Sequence, residues 1–194
     1  MPAERRPTLR QEQQAETRRR LLSAARDAFL ESGFTATTVE RIVEAANTSR
    51  ATFYLHFKNK TEALLSTWSE VDRPEVEGLF RAYDEAGDFS PAGARAWAET
   101  VVSYFENHGL VGRTALQALA LEPELEHVWI AGMARTADTM PRYVAALGGG
   151  EPARAIALAN VIQVERVLYF WSNDGLPMER ADLIAALGRT WAVG

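Results

Sequence analysis

Cysteine is absent from this 194-residue chain. Its absence excludes disulfides, thiolate zinc sites and cysteine nucleophiles, and is compatible with a reducing compartment. Histidine is scarce: His56, His108 and His127 are scattered, and no serine or carboxylate motif accompanies them. No HExxH segment and no phosphate-cradling glycine loop occurs. The chain therefore reads as no enzyme, with no cofactor and no metal site. Long apolar runs are missing too: none approaches the roughly 20 residues that a membrane-crossing helix needs. The basic start MPAERRPTLRQEQQAETRRR leads into no apolar segment long enough for a secretory signal. A soluble, cytoplasmic protein with no membrane partner is expected. Alternating strand patterns and internal repeats are also lacking, so the expected fold is all-α.

What is present is charge unevenly placed. The formal net charge is −5, yet residues 1–64 hold 11 Lys+Arg against 8 Asp+Glu, and residues 65–194 hold 10 against 18. A small positive head on an acidic body suits a protein that meets polyanions through its N-terminal part. Residues 1–12 carry Pro2 and Pro7 without periodicity and read as a flexible arm, whose Arg5, Arg6 and Arg10 either reach phosphates or are simply solvated. Residues 13–60 read as a separate head and residues 61–194 as a second domain.

Helical spacing of Leu22, Ala25 and Phe29 predicts a helix over about 15–32, stopped by Gly33. Thr37 with Glu40 three residues on is a capping-box pattern, and Val39, Ile42, Val43 and Ala46 make that helix's inner face. Asn47 and Thr48 form a turn. Ser49 or Thr48 then caps a short helix to about Leu55, and Asn59 with Glu62 opens a fourth helix over about 60–72. Pro74 ends or kinks it. Further helices are expected over about 74–86, 92–107, 112–121, 124–147 (kinked at Pro141), 152–173 and 178–192, with breaks at Gly148-Gly149-Gly150 and Asp174-Gly175.

Two short helices about a tight turn form a helix-turn-helix, in which the second helix enters a DNA major groove. Phe53 and Phe57 are its inward anchors, toward Phe29 and Ile42. Arg50, Ala51, Thr52 and Tyr54 are left to face outward. The planar Arg fork matches guanine O6 and N7, Thr52 can touch a phosphate or a thymine methyl, and Ala51 permits close approach. Thr38, Ser49, Tyr54, His56 and Lys60 bring donors suited to phosphates. The ordered set Thr52-Phe53-Tyr54, His56-Phe57 and Lys60 resembles the DNA-binding domain of the TetR family of transcriptional regulators. Asn47-Thr48 departs from it, standing where members often carry a glycine and an apolar residue.

That resemblance implies double-stranded operator DNA as partner and a C-terminal domain for ligand binding and dimerisation. It implies a homodimer through the last two helices, which here carry Ile156, Ile162, Val167, Leu168, Phe170, Trp171, Leu183, Ile184, Leu187 and Trp191. A helix buried within a monomer is the other reading of those residues. The body is also rich in aromatic and flexible apolar groups, as is a ligand pocket or a plain core. Trp129, Met133 and Met140 belong to this set, and Asn160 is a candidate polar anchor beside it. Glu165 shares a helical face with Val161, Val164, Leu168 and Tyr169, and a carboxylate among apolar neighbours needs a partner. Trp97 with Tyr104, the segment 124–129, Glu165-Arg166 and Trp191 resemble the ethionamide-resistance-repressor branch of the family. In that branch the matching positions line a narrow apolar channel; here they would be Trp97, Tyr104, Thr136, Val161, Val164, Glu165, Tyr169 and Trp191. The departure is at Val161 and Val164: in that branch this helix offers asparagines to the ligand, so here the polar anchors are either missing or replaced by Asn160 or Gln163. The expected function is a repressor that releases a palindromic operator when a small, largely apolar effector binds. The alternative is a constitutive DNA-binding regulator with a closed core.

Overall fold

The computed structural model describes residues 8–108, 110–123, 125–173 and 175–194. Residues 1–7 of the expected arm, with Arg5 and Arg6, lie outside the described residues, as do Glu124 and Asp174. Among the described residues every regular element is helical, and the all-α expectation holds. The chain divides into two compact units, Met1–Val71 and Asp72–Gly194. The division falls beyond the fourth helix, which joins the head, and not at residue 60.

In the first unit, α1 (Leu9–Ala36) is 28 residues long and starts earlier than its periodicity suggested. Thr8 is the reason. Its hydroxyl accepts from the Gln11 N–H, and the Gln11 side chain accepts from the Thr8 N–H at 2.8 Å, a reciprocal box that satisfies free amides. Residues 8–12 are thus ordered helix and not arm. At the far end Gly33 takes φ 75°, a left-handed conformation cheap only for glycine, and the helix kinks there.

The α2 helix (Val39–Ala45) is capped by Thr38, whose hydroxyl accepts from Arg41 N–H at 3.2 Å. Thr37, the expected cap, is buried one residue earlier. Its hydroxyl donates to the carbonyls of Gly33 at 2.7 Å and Ala28 at 3.0 Å, sealing the end of α1. Asn47 carries the turn at φ 47°. Asparagine is among the few non-glycine residues that tolerate this region, which is how the turn forms without the family's glycine. Ser49 caps α3 (Arg50–His56) by accepting from Thr52 N–H at 3.1 Å, and Asn59 caps α4 (Lys60–Thr67) by accepting from Glu62 N–H at 2.8 Å.

Seven residues are too few for a stable helix in isolation, where about 12–15 are needed. Packing must hold α3, and it does. Phe53 and Phe57 are fully enclosed with ring centroids 5.3 Å apart, in a core with Leu21, Ala25, Phe29, Ile42 and Leu64. Cutting Phe53 to alanine would cost about 3–5 kcal/mol.

After α4 the chain widens into a π-helical segment, Trp68–Asp72. It then re-forms as α5 (Arg73–Ala86), with Pro74 in the first turn. A proline ring clashes with the carbonyl four residues back and offers no N–H, so a wider turn just before it relieves both problems.

The second unit continues with α6 (Pro91–His108), α7 (Leu110–Leu121), α8 (Leu125–Asp138), α9 (Pro141–Ala146), α10 (Gly150–Asn173) and α11 (Arg180–Trp191). Pro141 breaks the expected 124–147 helix outright, with Met140 at φ −119° and ψ 58°. The new N-terminus at α9 is capped from a distance: buried Asp84 of α5 accepts from Tyr143 N–H at 2.7 Å. At the centre Phe80, Tyr83, Trp97, Tyr143 and Trp191 interlock, with Trp97 and Trp191 centroids 4.3 Å apart. The Tyr83 hydroxyl donates to the Trp191 carbonyl at 2.9 Å, satisfying the end of α11.

This core corrects the expected dimer surface. Leu168, Leu183, Ile184, Leu187 and Trp191 are enclosed within their own unit, and Val167 and Trp171 are partly buried against it. The large apolar residues that α10 leaves exposed are Ile156, Ile162 and Phe170, on the side of the helix away from buried Ala157, Val164 and Leu168. Among the described residues no helix is long and apolar enough to cross a membrane.

Candidate nucleic-acid interface

Anchoring Phe53 and Phe57 inward forces the other side of α3 outward. Arg50, Ala51, Tyr54 and Leu55 are exposed there, Leu55 to 79 %. Thr52 is half-buried, and its hydroxyl lies 2.9 Å from Ser49 Oγ at the cap. Arg50 is ion-paired with Glu40 from the first turn of α2. Its proton is held more firmly than usual, first by the Tyr54 phenol one turn along and then by Glu40. Arg50, Tyr54 and Glu40 thus form one outward polar group. Leu55 belongs to the same face but was not a sequence candidate, since an apolar residue carries no donor to mark it. It also borders an open groove with Gln11, Gln14, Ala15, Arg18 and His56.

Two expected phosphate donors are placed otherwise. Lys60 turns inward: its ammonium donates to the carbonyls of Phe34 at 2.8 Å, Thr37 at 3.1 Å and Thr35 at 3.3 Å, and lies 4.5 Å from the Phe34 ring centre. It closes the negative end of α1, the place a cation favours. His56 has its pKa lowered, first by burial and then by the Arg18 charge. Both causes disfavour its charged form. Thr38 and Ser49 spend their side chains as caps, as described above, although both remain exposed.

Arg18 is a positioning residue that sequence reasoning missed. From α1 it donates to the His56 carbonyl at 3.2 Å, the end of α3, and to Ser66 Oγ at 3.1 Å, and it pairs with Glu70. Its guanidinium lies 4.6 Å from the Phe57 ring centre. The only sequence signal was a run of three arginines on a helix, which is indistinguishable from a solvated face.

Residues 21–66 match the family model for bacterial regulatory proteins of the tetR family. The chain carries a TetR-family DNA-binding domain. TcmR of Streptomyces glaucescens, an HTH-type transcriptional regulator, is 41% identical over 73 residues, 38% of this chain and 32% of TcmR. The chain thus spans about a third of the length of this curated relative. EthR of Mycolicibacterium smegmatis is 27% identical over 113 residues, 56% of this chain and 50% of EthR. A solved transcriptional regulator from Streptomyces coelicolor A3(2) superposes with a TM-score of 0.70 at 17% identity, covering 91% of this chain and 98% of its own. The fold, a helix-turn-helix head followed by a helical second domain, is thus shared with that structure over 91% of this chain. These relatives are regulators and not enzymes.

Several of the residues expected to meet an effector share one core. Trp97, Met140, Val161, Val164 and Trp191 are interior to the second unit's core, and Met133 packs partly buried against it. Trp97 donates its indole N–H to the Leu79 carbonyl at 3.1 Å. Thr136 is 5 % exposed and donates to Gly132 O at 3.2 Å. Asn160 donates to the Tyr143 hydroxyl at 3.0 Å, and Tyr104 donates to Glu75 at 2.9 Å. Trp129 and Tyr169 are half-buried. Glu165 is half-buried as a residue, yet its Oε2 is enclosed without a hydrogen-bond partner. Burial raises its pKa to about 7, against the opposing pull of the Arg166 charge and the Trp129 indole.

Proposed function

We propose that this chain is a DNA-binding transcriptional repressor. It reads a palindromic operator with α3 of two paired copies and is released by a small, largely apolar effector held in the second unit. The observation that carries the DNA-reading part is the outward Arg50, Ala51 and Tyr54 face on a short helix held by enclosed Phe53 and Phe57. Thr38, Ser49, Arg50, Ala51, Thr52 and Tyr54 are the proposed DNA-facing set, with Leu55 added. Two-fold pairing follows from the need for two half-sites one helical turn apart. Exposed Ile156, Ile162 and Phe170 on α10 supply an apolar stripe on which a second copy can seat.

The effector part is supported by two enclosed polar atoms with no hydrogen-bond partner among the described residues, Glu165 Oε2 and Trp191 Nε1. A ligand donor and acceptor would satisfy them. An EthR-like effector channel lined by Trp97, Tyr104, Thr136, Val161, Val164, Glu165, Tyr169 and Trp191 is the finer form of this reading. The tight interlocking of Trp97, Tyr143 and Trp191 favours the second reading, a constitutive regulator with a closed core.

The test is selection of bound sites from a random duplex library with the full chain, followed by titration of the enriched site. Enrichment of a two-fold sequence is expected. Arg50→Ala should weaken binding by about 1–3 kcal/mol and relax preference at one symmetric position. No enrichment over the starting library would overturn the reading. A thermal-shift screen with apolar small molecules, each hit then tested for operator release, separates the sensor from the constitutive form.

A further inference from the structure

The feature of the DNA-reading face that the proposed function leaves unused is an acid. Glu40 stands at the start of α2 and pairs with Arg50, the residue best suited to read a guanine. The two side chains are 55 % and 59 % exposed, so the pair sits in water, where ion pairs of this kind add little to folding. Against DNA the same carboxylate is costly. It neutralises the Arg50 cation and adds a negative charge to the proposed DNA-facing set, so it works against non-specific binding, which rests on phosphate neutralisation. A residue that contributes little to the fold and opposes general affinity needs a reason to be there.

The geometry supplies one. Arg50 opens α3, and Tyr54 lies one turn further on the same face. The guanidinium is thus held by a carboxylate from α2, and the phenol one turn along α3 further favours its charged form. A long flexible side chain with many rotamers is given one attitude in advance. Ordering the fork before binding removes an entropic cost on the correct base and withholds the fork from phosphates elsewhere.

We propose that Glu40 is a positioning residue that sets sequence specificity: it orients Arg50 toward one base pair and suppresses phosphate binding on other sequences. This rests on the DNA-reading function proposed above. Glu40 itself touches no base in this account; it acts through Arg50.

The experiment compares full-length wild type, Glu40→Gln, Glu40→Asp, Arg50→Ala and the Glu40→Gln/Arg50→Ala double variant. Each is titrated on the site enriched by wild type, on that site with the Arg50-dependent base pair replaced, and on unrelated duplex, over a range of salt. Melting temperature is recorded throughout. Glu40→Gln should raise affinity for unrelated duplex about 3- to 10-fold and steepen the salt dependence by roughly one phosphate. It should shrink the discrimination at the Arg50 base pair by a similar factor, with melting unchanged. Glu40→Asp keeps the charge near the α2 N-terminus but draws the carboxylate back from Arg50. It should lose discrimination while its affinity for unrelated duplex stays near that of wild type. In the Arg50→Ala background, Glu40→Gln should no longer alter discrimination.

Three results would overturn the proposal. Unchanged discrimination in Glu40→Gln means that Arg50 needs no orienting. An undiminished effect in the Arg50→Ala background means that Glu40 reads a base itself. A fall in melting temperature with proportional loss on every duplex means that the pair is structural. If wild type enriches no site at all, it is the DNA-reading function that fails.

Discussion

Replacing Glu165 by glutamine keeps the shape of the side chain and removes a charge that burial penalises. In the folded chain the Glu165 carboxyl has its pKa raised from 4.5 to about 7, because burial penalises the carboxylate more than the Arg166 charge and the Trp129 indole favour it. Unfolded, the same carboxyl titrates at its ordinary value. Between pH 4.5 and about 7 the unfolded chain gives up a proton that the folded chain keeps. The folded state binds more protons in that window, so its stability falls as pH rises through it and levels off above. A shift of this size corresponds to about 3 kcal/mol, and partial exposure of the residue brings the expected loss to about 2–3 kcal/mol. Glu165→Gln has no such loss. Urea denaturation followed by tryptophan fluorescence should find the variant about 2–3 kcal/mol more stable than wild type at pH 8 and nearly equal to it at pH 4.5, with unchanged denaturant slope. His56, whose pKa is lowered, contributes with the opposite sign, since its protonation favours the unfolded chain as pH falls. It is common to both proteins and cancels in the difference. The reasoning is refuted if the difference between variant and wild type is the same at every pH, or if glutamine destabilises above pH 7. Either result would mean that the carboxylate has a compensating partner.

Other outcomes follow from the same geometry. Lys60→Met leaves the stem over Phe34 but abandons three carbonyls at the end of α1; it should destabilise the head by about 1–3 kcal/mol, read by denaturation, while the salt slope of DNA binding stays as in wild type. Phe170→Glu, on exposed surface, should give folded monomers by sedimentation, whereas Leu187→Glu, enclosed in the core, should unfold the second unit. A folded Phe170→Glu dimer would rule out the α10 stripe. Thr136→Trp should overpack its buried site and destabilise by about 1–3 kcal/mol or more. A stable Thr136→Trp variant that had lost operator affinity would instead speak for a channel there.

The sequence by itself determined the all-α class, the helix-turn-helix and the inward pair Phe53 and Phe57. These rest on local spacing and on short-range caps such as Ser49 and Asn59, whose chemistry acts within three or four residues. It could not determine where long side chains from other elements go. Lys60 reads as a cation available to phosphate, and Arg18 carries no signal beyond a run of arginines. Folding brings the ends of α1 and α3 against them, and unpaired helix carbonyls claim their protons. Pro141 reads as a kink, but a break became affordable only because Asp84, 59 residues away, caps the new helix start. The pairing of Glu40 with Arg50 likewise depends on how α2 and α3 meet at a turn built on Asn47. Leu187 and Trp191 share the apolar character of Ile156 and Phe170, and hydrophobicity alone marks all four as interface. Only the packing of α11 against α6 decided which are core and which remain exposed, because burial depends on what lies opposite a face and not on the face itself.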